Sequence, residues 1–445
     1  MTENKSSVGE TGTADVVIIG GGPSGSTAGI LLAELGYNVV LLEKAHHPRF
    51  HIGESLLPAN LPLFQRLGVA EQIRAIGMEK RGAEFVSPLH GRGETFLFAE
   101  AWNKDMPYAY QVRRSTFDEI LIRRAAQCGV TVIEGCRARY VDLTDGRRAG
   151  CVAAVFEDGR PASWNAKFVI DASGRDTLLA NQLDAKHRNK KHNSAAMYAH
   201  FQGAERYPGD RAGIISIYWF EHGWFWFIPF ADGATSIGAV VWPYYMKSRK
   251  IPVRDFFLDT IKQCAPLAKG LIDSELLSDV EATGNYSYST DRSHGENFLL
   301  LDDAYAFIDP VFSSGVWLAM NSAVAGACAV DSCLRTPANA EAAFRNFDRV
   351  MRLGPKELSW FIYRVTNPTM RELFMRPRNP LRMKEALLSM LAGDIFDGSP
   401  IWRSLFAFKA VYYLSSFYNL RRSVESIRRR RQNISERLTP IDSSL

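Results

Sequence analysis

From Ala14 onward the chain runs through an apolar stretch, "ADVVIIG", a glycine-rich break, "GGPSG", a segment of small and apolar residues, "STAGILLAELG", and a second apolar stretch, "NVVLLEK". Short apolar runs bounded by turn signals predict buried strands, and the segment between them predicts a helix, so the pattern is a βαβ unit. Gly20, Gly22 and Gly25 stand in GxGxxG spacing at the strand-to-helix turn. Small residues there let the backbone and the helix N-terminus approach a pyrophosphate. Glu43 closes the second strand, where an acid can hydrogen-bond a ribose hydroxyl. A dinucleotide site is expected, and this motif alone leaves FAD and NAD both open.

Two later runs repeat the strand-then-acid pattern. "KFVIDASGRD" (167–176) and "ENFLLLDDAYAFIDPVFSSGVWLAMNSA" (296–323) each lead from an apolar strand into Asp and small residues. Both read as strand ends facing a ligand across the top of a sheet. No second GxGxxG follows, so FAD is favoured over a bound pyridine nucleotide, with electrons supplied from elsewhere. Residues 190–290 alternate and are aromatic, which predicts an antiparallel sheet inserted into the core. Within it "HGWFWFIPF" (222–230) sends Trp224 and Trp226 to one face and Phe225 and Phe227 to the other. Core packing and a cofactor wall are both compatible with that alternation.

From about residue 336 the period turns helical, through "ANAEAAFRNFDRVMRLG", "PLRMKEALLSMLAGDIF" and "PIWRSLFAFKAVYYLSSFYNL". Arg403 and Lys409 interrupt the last of these, which argues against a membrane span. The expected organisation is a disordered tail over 1–14, an α/β FAD-binding core over 15–335 and a C-terminal helical region over 336–445. The inserted antiparallel sheet, a substrate domain, would take in about 80–115 and 190–290.

Composition narrows the class. With 445 residues, 46% hydrophobic and 23% charged, the chain has the balance of a globular protein with two or three packed units. A formal charge of +5 without an Arg/Lys stripe interleaved with aromatics excludes nucleic acid as an expected partner. The six cysteines show neither CxxC nor metal-ligand spacing, so no metal is expected and reduced thiols in a cytoplasmic protein are. The polar leader "MTENKSSVGETGTA" has no apolar signal core. The densest positive cluster is "RRSVESIRRRRQ" (421–432). It reads as a solvated helix end, with an acidic carrier protein or an anionic membrane surface as the functional alternatives.

Five landmarks in order, "GGGPSG", "PRFHIGESLLP" (48–58), "EKRGAEF" (79–85), "WFWFIP" (224–229) and "DPVFSSGV" (309–316), resemble the flavin-dependent halogenases, which share their core with flavin hydroxylases. The fourth fits the family's WxWxIP at Trp224, Trp226, Ile228 and Pro229. The resemblance implies that reduced FAD meets oxygen and forms a flavin hydroperoxide, which a bound chloride or bromide attacks. The resulting hypohalous acid passes to a lysine that delivers the halogen to an electron-rich aromatic ring. A separate flavin reductase would supply the reduced FAD. By this resemblance Lys80 is the catalytic lysine, and Ser314 and Gly315 offer the halide-binding amides. Arg49, Glu54, Ser55, Arg114 and Asp303 would surround the flavin, and Trp224, Trp226 and Phe312 would shield it from substrate. Backbone amides suit that role because they attract an anion without reducing the oxidant.

The sequence departs from the family in two places. Asp302 stands where the family has glycine before Asp303, placing a second carboxylate beside the phosphate-binding backbone. Phe312 stands where the tryptophan-type enzymes carry glutamate, which points to the phenol- and pyrrole-type branch. The substrate would be free or tethered to a carrier protein. Among histidines, His51, His200 and His222 are candidates by chemistry for the general base. A flavin hydroxylase or lipid reductase of the same fold, and a flavin-binding module without turnover, are the competing functions.

Overall fold

The two N-terminal apolar runs form the strands Glu10–Ile19 and Val39–Leu42, paired in parallel across the helix Pro23–Glu34. They belong to a computed structural model that describes residues 10–143, 150–189, 193–284, 287–396 and 398–434. Thr131–Ile133 extends the sheet on one side and Pro161–Asp171 on the other. Pro161–Asp171 is long enough to serve two neighbours. Its first half pairs antiparallel with Cys151–Phe156, and its last residues pair in parallel with Phe298–Leu300. The apolar runs therefore end at one edge of a parallel sheet, where ligands bind in open α/β folds.

Residues 10–14 correct the expected disordered tail. They extend the first strand and pair with Ala162 to Ala166. The "ETGTA" stretch is too short and polar to announce a strand, and only the long-range partner gives it one. Residues 1–9 lie outside the described residues.

The second sheet has eight strands and contains the aromatic motif. Gly223–Pro229 lies between Ile215–Phe220 and Ala234–Val241, both antiparallel to it. The expected all-antiparallel order fails at one place, because Ile215–Phe220 runs parallel to Gly82–Ser87. The hairpin Gly82–Leu97 arrives from an earlier part of the chain and joins the sheet edgewise, so no tight turn dictates its direction. Trp226 sits opposite Gly238, and a Cβ at Gly238 would come within 2.1 Å of the indole. That glycine lets the ring lie flat across the neighbouring strand.

The alternation in "WFWF" divides two cores. Trp224, Trp226 and Ile228 join the cluster beneath the C-terminal helices, and Phe225 and Phe227 pack with Phe257 and Ile261 on the opposite face. Among the described residues, five α-helices follow Arg335: Pro337–Ile362, Pro368–Met375, Met383–Ala392, Trp402–Tyr418 and Leu420–Ile434. Among the described helices, Gly315–Arg335 is long and apolar enough to cross a membrane, but it packs as a core helix against Pro23–Glu34.

Candidate active site

A cavity of about 420 Å³ opens where the strand ends of the parallel sheet meet the Trp face of the second sheet. Gly20 and Gly22 line it, with Glu43 at the end of its strand. Gly20 has φ +106°, and a Cβ there would lie 2.3 Å from the Ala172 carbonyl oxygen, so only glycine fits the turn. Gly25 does not reach the cavity. It sits one helical turn in, where a Cβ would fall 1.9 Å from the Gly20 oxygen, so its role is to let the helix approach the turn. Glu43 accepts the Gly21 N–H at 2.7 Å and the Ala45 N–H at 2.9 Å, which fixes its carboxylate at the mouth of the cradle.

The basic wall is held by one buried acid. Arg114 opens the helix Arg114–Gln127 and forms a fork with Asp118, Nε to Oδ1 at 2.8 Å and Nη2 to Oδ2 at 3.0 Å. Burial works against the Asp118 charge, but the Arg114 guanidinium outweighs it and holds the carboxyl below its ordinary range. Arg49 Nη1 reaches the same carboxylate at 3.5 Å, and its Nε is buried without a hydrogen-bond partner. Asp118 was not foreseen; its spacing of four residues from Arg114 was the available signal. Burial, reinforced by Arg114, pushes His51 down to about 4, so this imidazole stays neutral near pH 7.

Glu54 and Ser55 line the same cavity. Glu54 Oε1 lies 2.9 Å from His200 Nε2, and the buried Oε2 has no partner. Asp302 and Asp303 border the opposite wall in a single-turn helix, with Asp302 at φ +46°. Burial and the repulsion of the adjacent carboxylate push the pair upward, against Arg114 and Arg175. Ser314 and Gly315 also line the cavity, at the start of the helix Gly315–Arg335. A helix start leaves N–H groups unpaired, and a Cβ at Gly315 would meet nothing within 4 Å, so the space beside these amides is open.

Trp224 and Trp226 form part of the wall, their ring centroids 6.1 Å apart, and Trp226 Nε1 donates to Ser236 Oγ at 3.1 Å. Phe312 is buried with them in the hydrophobic cluster and contributes nothing to the cavity lining. His222 lies elsewhere, stacked on Tyr245 at 4.2 Å.

Lys80 is 1% exposed and does not line the cavity itself. Its Nζ donates to Ser55 Oγ and to the Leu56 carbonyl, each at 2.9 Å, and stands 5.4 Å from the Phe98 ring centroid. Burial lowers its pKa from 10.5 to about 7. Ser55 therefore both lines the cavity and accepts from the lysine, a link that the sequence pattern did not reveal.

The family model described as tryptophan halogenase matches residues 15–100 and 97–372. The chain belongs to the flavin-dependent halogenases. It is similar to 1H-pyrrole-2-carbonyl-[peptidyl-carrier protein] chlorinase of Pseudomonas fluorescens, 30% identical over 86% of this chain and 90% of the relative. Tryptophan 2-halogenase of Chondromyces crocatus is 34% identical over 72% of this chain and 61% of the relative, so this halogenase spans less than two thirds of that longer protein. Among solved structures, the myxobacterial chondrochloren halogenase CndH aligns with TM-score 0.74 at 30% identity, covering 88% of this chain and 93% of that one. A flavoprotein/dehydrogenase from Cytophaga hutchinsonii aligns with TM-score 0.79 at 26% identity over 86% and 94%.

This halogenase uses FAD and halide, and its residues fit both. Arg49 lines the cavity between the Glu43 and Asp118 carboxylates, its Nε 3.7 Å from Glu43 Oε1 with no hydrogen bond made, so a donor is left for an anionic group beside the glycine cradle; the orphaned Glu54 Oε2 offers an acceptor for a hydroxyl, and the open space at Gly315 lies at the helix start.

Proposed function

We propose that this halogenase chlorinates or brominates a phenolic or pyrrolic ring, free or tethered to a carrier protein, with Lys80 carrying the halogen. The observation that carries this reading is a fully buried amine, neutral for a substantial fraction of the time near pH 7, tied through Ser55 to the flavin cavity. A neutral amine has two N–H bonds and one lone pair. Ser55 Oγ and the Leu56 oxygen take the two N–H bonds, which leaves the lone pair free to act as a nucleophile.

When bound, reduced FAD supplies the electrons with which oxygen converts halide to hypohalous acid. The chain supplies the rest. Amides at Ser314 and Gly315 hold the halide, and Arg49 with Arg114 hold the anionic parts of the cofactor. Trp224 and Trp226 keep the organic substrate away from the cofactor. At Lys80 the lone pair takes halogen from the hypohalous oxygen, the amine proton leaves with hydroxide as water, and an N–halo amine forms. The ring then takes the halogen and loses a proton, and the amine returns. The PCP-tethered pyrrole acted on by one relative supports a tethered substrate, and the Phe312 side chain, which cannot polarise a substrate as an acid would, supports a ring activated by its own hydroxyl or nitrogen.

A separate flavin reductase and a cytoplasmic setting complete the proposal; the six unpaired cysteines support a reducing environment. The test supplies a reductase, NADH, oxygen and chloride or bromide to a panel of phenols, pyrroles and indoles, each free and carrier-bound. Halogenated product from the phenol or pyrrole sets is expected. Turnover confined to indoles would overturn the substrate class.

A further inference from the structure

The last two helices form a surface that the reaction leaves unused, and it lies beyond residue 372, where the family match ends. Trp402–Tyr418 is apolar on its inner face, where Leu405, Phe408 and Tyr412 are buried, and apolar again on its outer face. Trp402, Phe406, Tyr413 and Phe417 recur at helical spacing along one exposed line about 22 Å long. Leu414 and Tyr418, 70% and 90% exposed, widen it. Nearly half of the exposed large apolar side chains among the described residues fall between 402 and 427. A helix apolar on two faces calls for a cover on both, and the exposed Arg403 adds a positive charge at the start of the outer one.

The next helix, Leu420–Ile434, supplies charge. It carries six arginines against one glutamate, an excess of +5 that equals the formal net charge of the whole chain. Its exposed apolar side chains, Leu420, Val424 and Ile427, follow i, i+4, i+7 spacing. Arg421, Arg428 and Arg431 are exposed on or beside that stripe, with no acidic partner among the described residues. Two other arginines face the protein. Arg429 pairs with Glu221 at 2.8 Å, and Arg430 lies over Tyr363 at 5.2 Å, so the helix is anchored with its apolar stripe outward.

We propose that this surface docks the enzyme on an anionic lipid bilayer, with the aromatic stripe at the level of the headgroups and upper acyl chains and the arginines on lipid phosphates. A second copy of the chain would bring two helices of the same positive charge together, which opposes dimerisation through this face. An acidic protein would satisfy the arginines, but Phe406, Leu414 and Phe417 need an apolar cover along the whole stripe. A bilayer surface meets both demands at once. Docking would hold the enzyme where apolar aromatic substrates partition.

The full-length protein is sedimented with vesicles of phosphatidylcholine alone and of phosphatidylcholine with phosphatidylglycerol. Binding to the anionic vesicles and its loss in high salt are expected. The triple variant Arg421→Gln, Arg428→Gln, Arg431→Gln should weaken binding by about fivefold per arginine. Phe406→Ser with Phe417→Ser should weaken it independently, while the melting temperature and the vesicle-free halogenation rate stay at wild-type values. Wild-type protein left in the supernatant, or equal binding to neutral and anionic vesicles, would overturn the proposal. So would loss of a dimer in light scattering on mutation of the stripe, or binding of an acidic carrier protein through these arginines without vesicle binding.

Discussion

Replacing Lys80 by methionine separates the physical cost of the buried amine from its chemistry. Burial lowers the amine from 10.5 to about 7. Between those values the folded chain holds fewer protons than the unfolded chain, so stability rises with pH at about 1.4 kcal/mol per pH unit. Below pH 7 both states hold the proton and the slope vanishes. At pH 7.5 the wild-type chain must give up a proton that its unfolded form would keep, at a cost of about 4 kcal/mol; at pH 9.5 the cost is only about 1 kcal/mol. Methionine fills a similar volume and does not titrate. It leaves Ser55 Oγ and the Leu56 oxygen without their donor, a penalty of about 1–3 kcal/mol for each that is independent of pH. Urea unfolding of the apoprotein, followed by tryptophan fluorescence at pH 7.5 and pH 9.5, should therefore find the wild type rising in stability with pH relative to Lys80→Met. By pH 9.5 the wild type should have gained about 2–3 kcal/mol on it. Parallel stability curves for the two proteins would refute the claim that Lys80 is held neutral by burial.

Further outcomes follow from particular contacts. Arg114→Ala strands the buried Asp118 carboxylate and should cost about 3–5 kcal/mol by thermal or urea unfolding, much of it restored by a second change, Asp118→Ala. Gly238→Ala puts a methyl within 2.1 Å of the Trp226 ring and should push the indole into the cavity, lowering FAD affinity in a fluorescence titration. The Asp302–Asp303 pair is held toward its neutral form by burial and mutual repulsion. As pH rises and the pair gains charge, repulsion of the cofactor's phosphates should weaken FAD binding. Asp302→Gly, which suits φ +46°, should flatten that dependence; an unchanged pH profile would remove Asp302 from it.

What the sequence revealed and what it hid have the same origin, the distance over which each signal acts. The glycine turn and the "WFWF" alternation are local, and both faces of Gly223–Pro229 are occupied as their two-residue period demands. Lys80 was marked by its motif. Its partner Ser55 lies 25 residues away, and only the fold brings the hydroxyl to 2.9 Å. Asp118 was within reach of a helical spacing argument from Arg114, but its burial and its second partner, Arg49, come only with the tertiary fold. The strand character of residues 10–14 and the parallel entry of Gly82–Ser87 depend on distant partners, and no local pattern encodes them. Phe312 shows the opposite limit: its place in the motif was legible, but its side chain turns into the core rather than into the cavity.

The central claim is that halogen passes through Lys80, and a reductase-coupled assay with bromide tests it most directly. Wild-type protein and Lys80→Ala are given the same accepted phenol or pyrrole, and oxygen consumption and the isotope pattern of the product are followed together. The account predicts that both proteins consume oxygen and that brominated product disappears in Lys80→Ala. Brominated product at the wild-type rate from Lys80→Ala, or a wild-type product that gains oxygen without bromine, would contradict it.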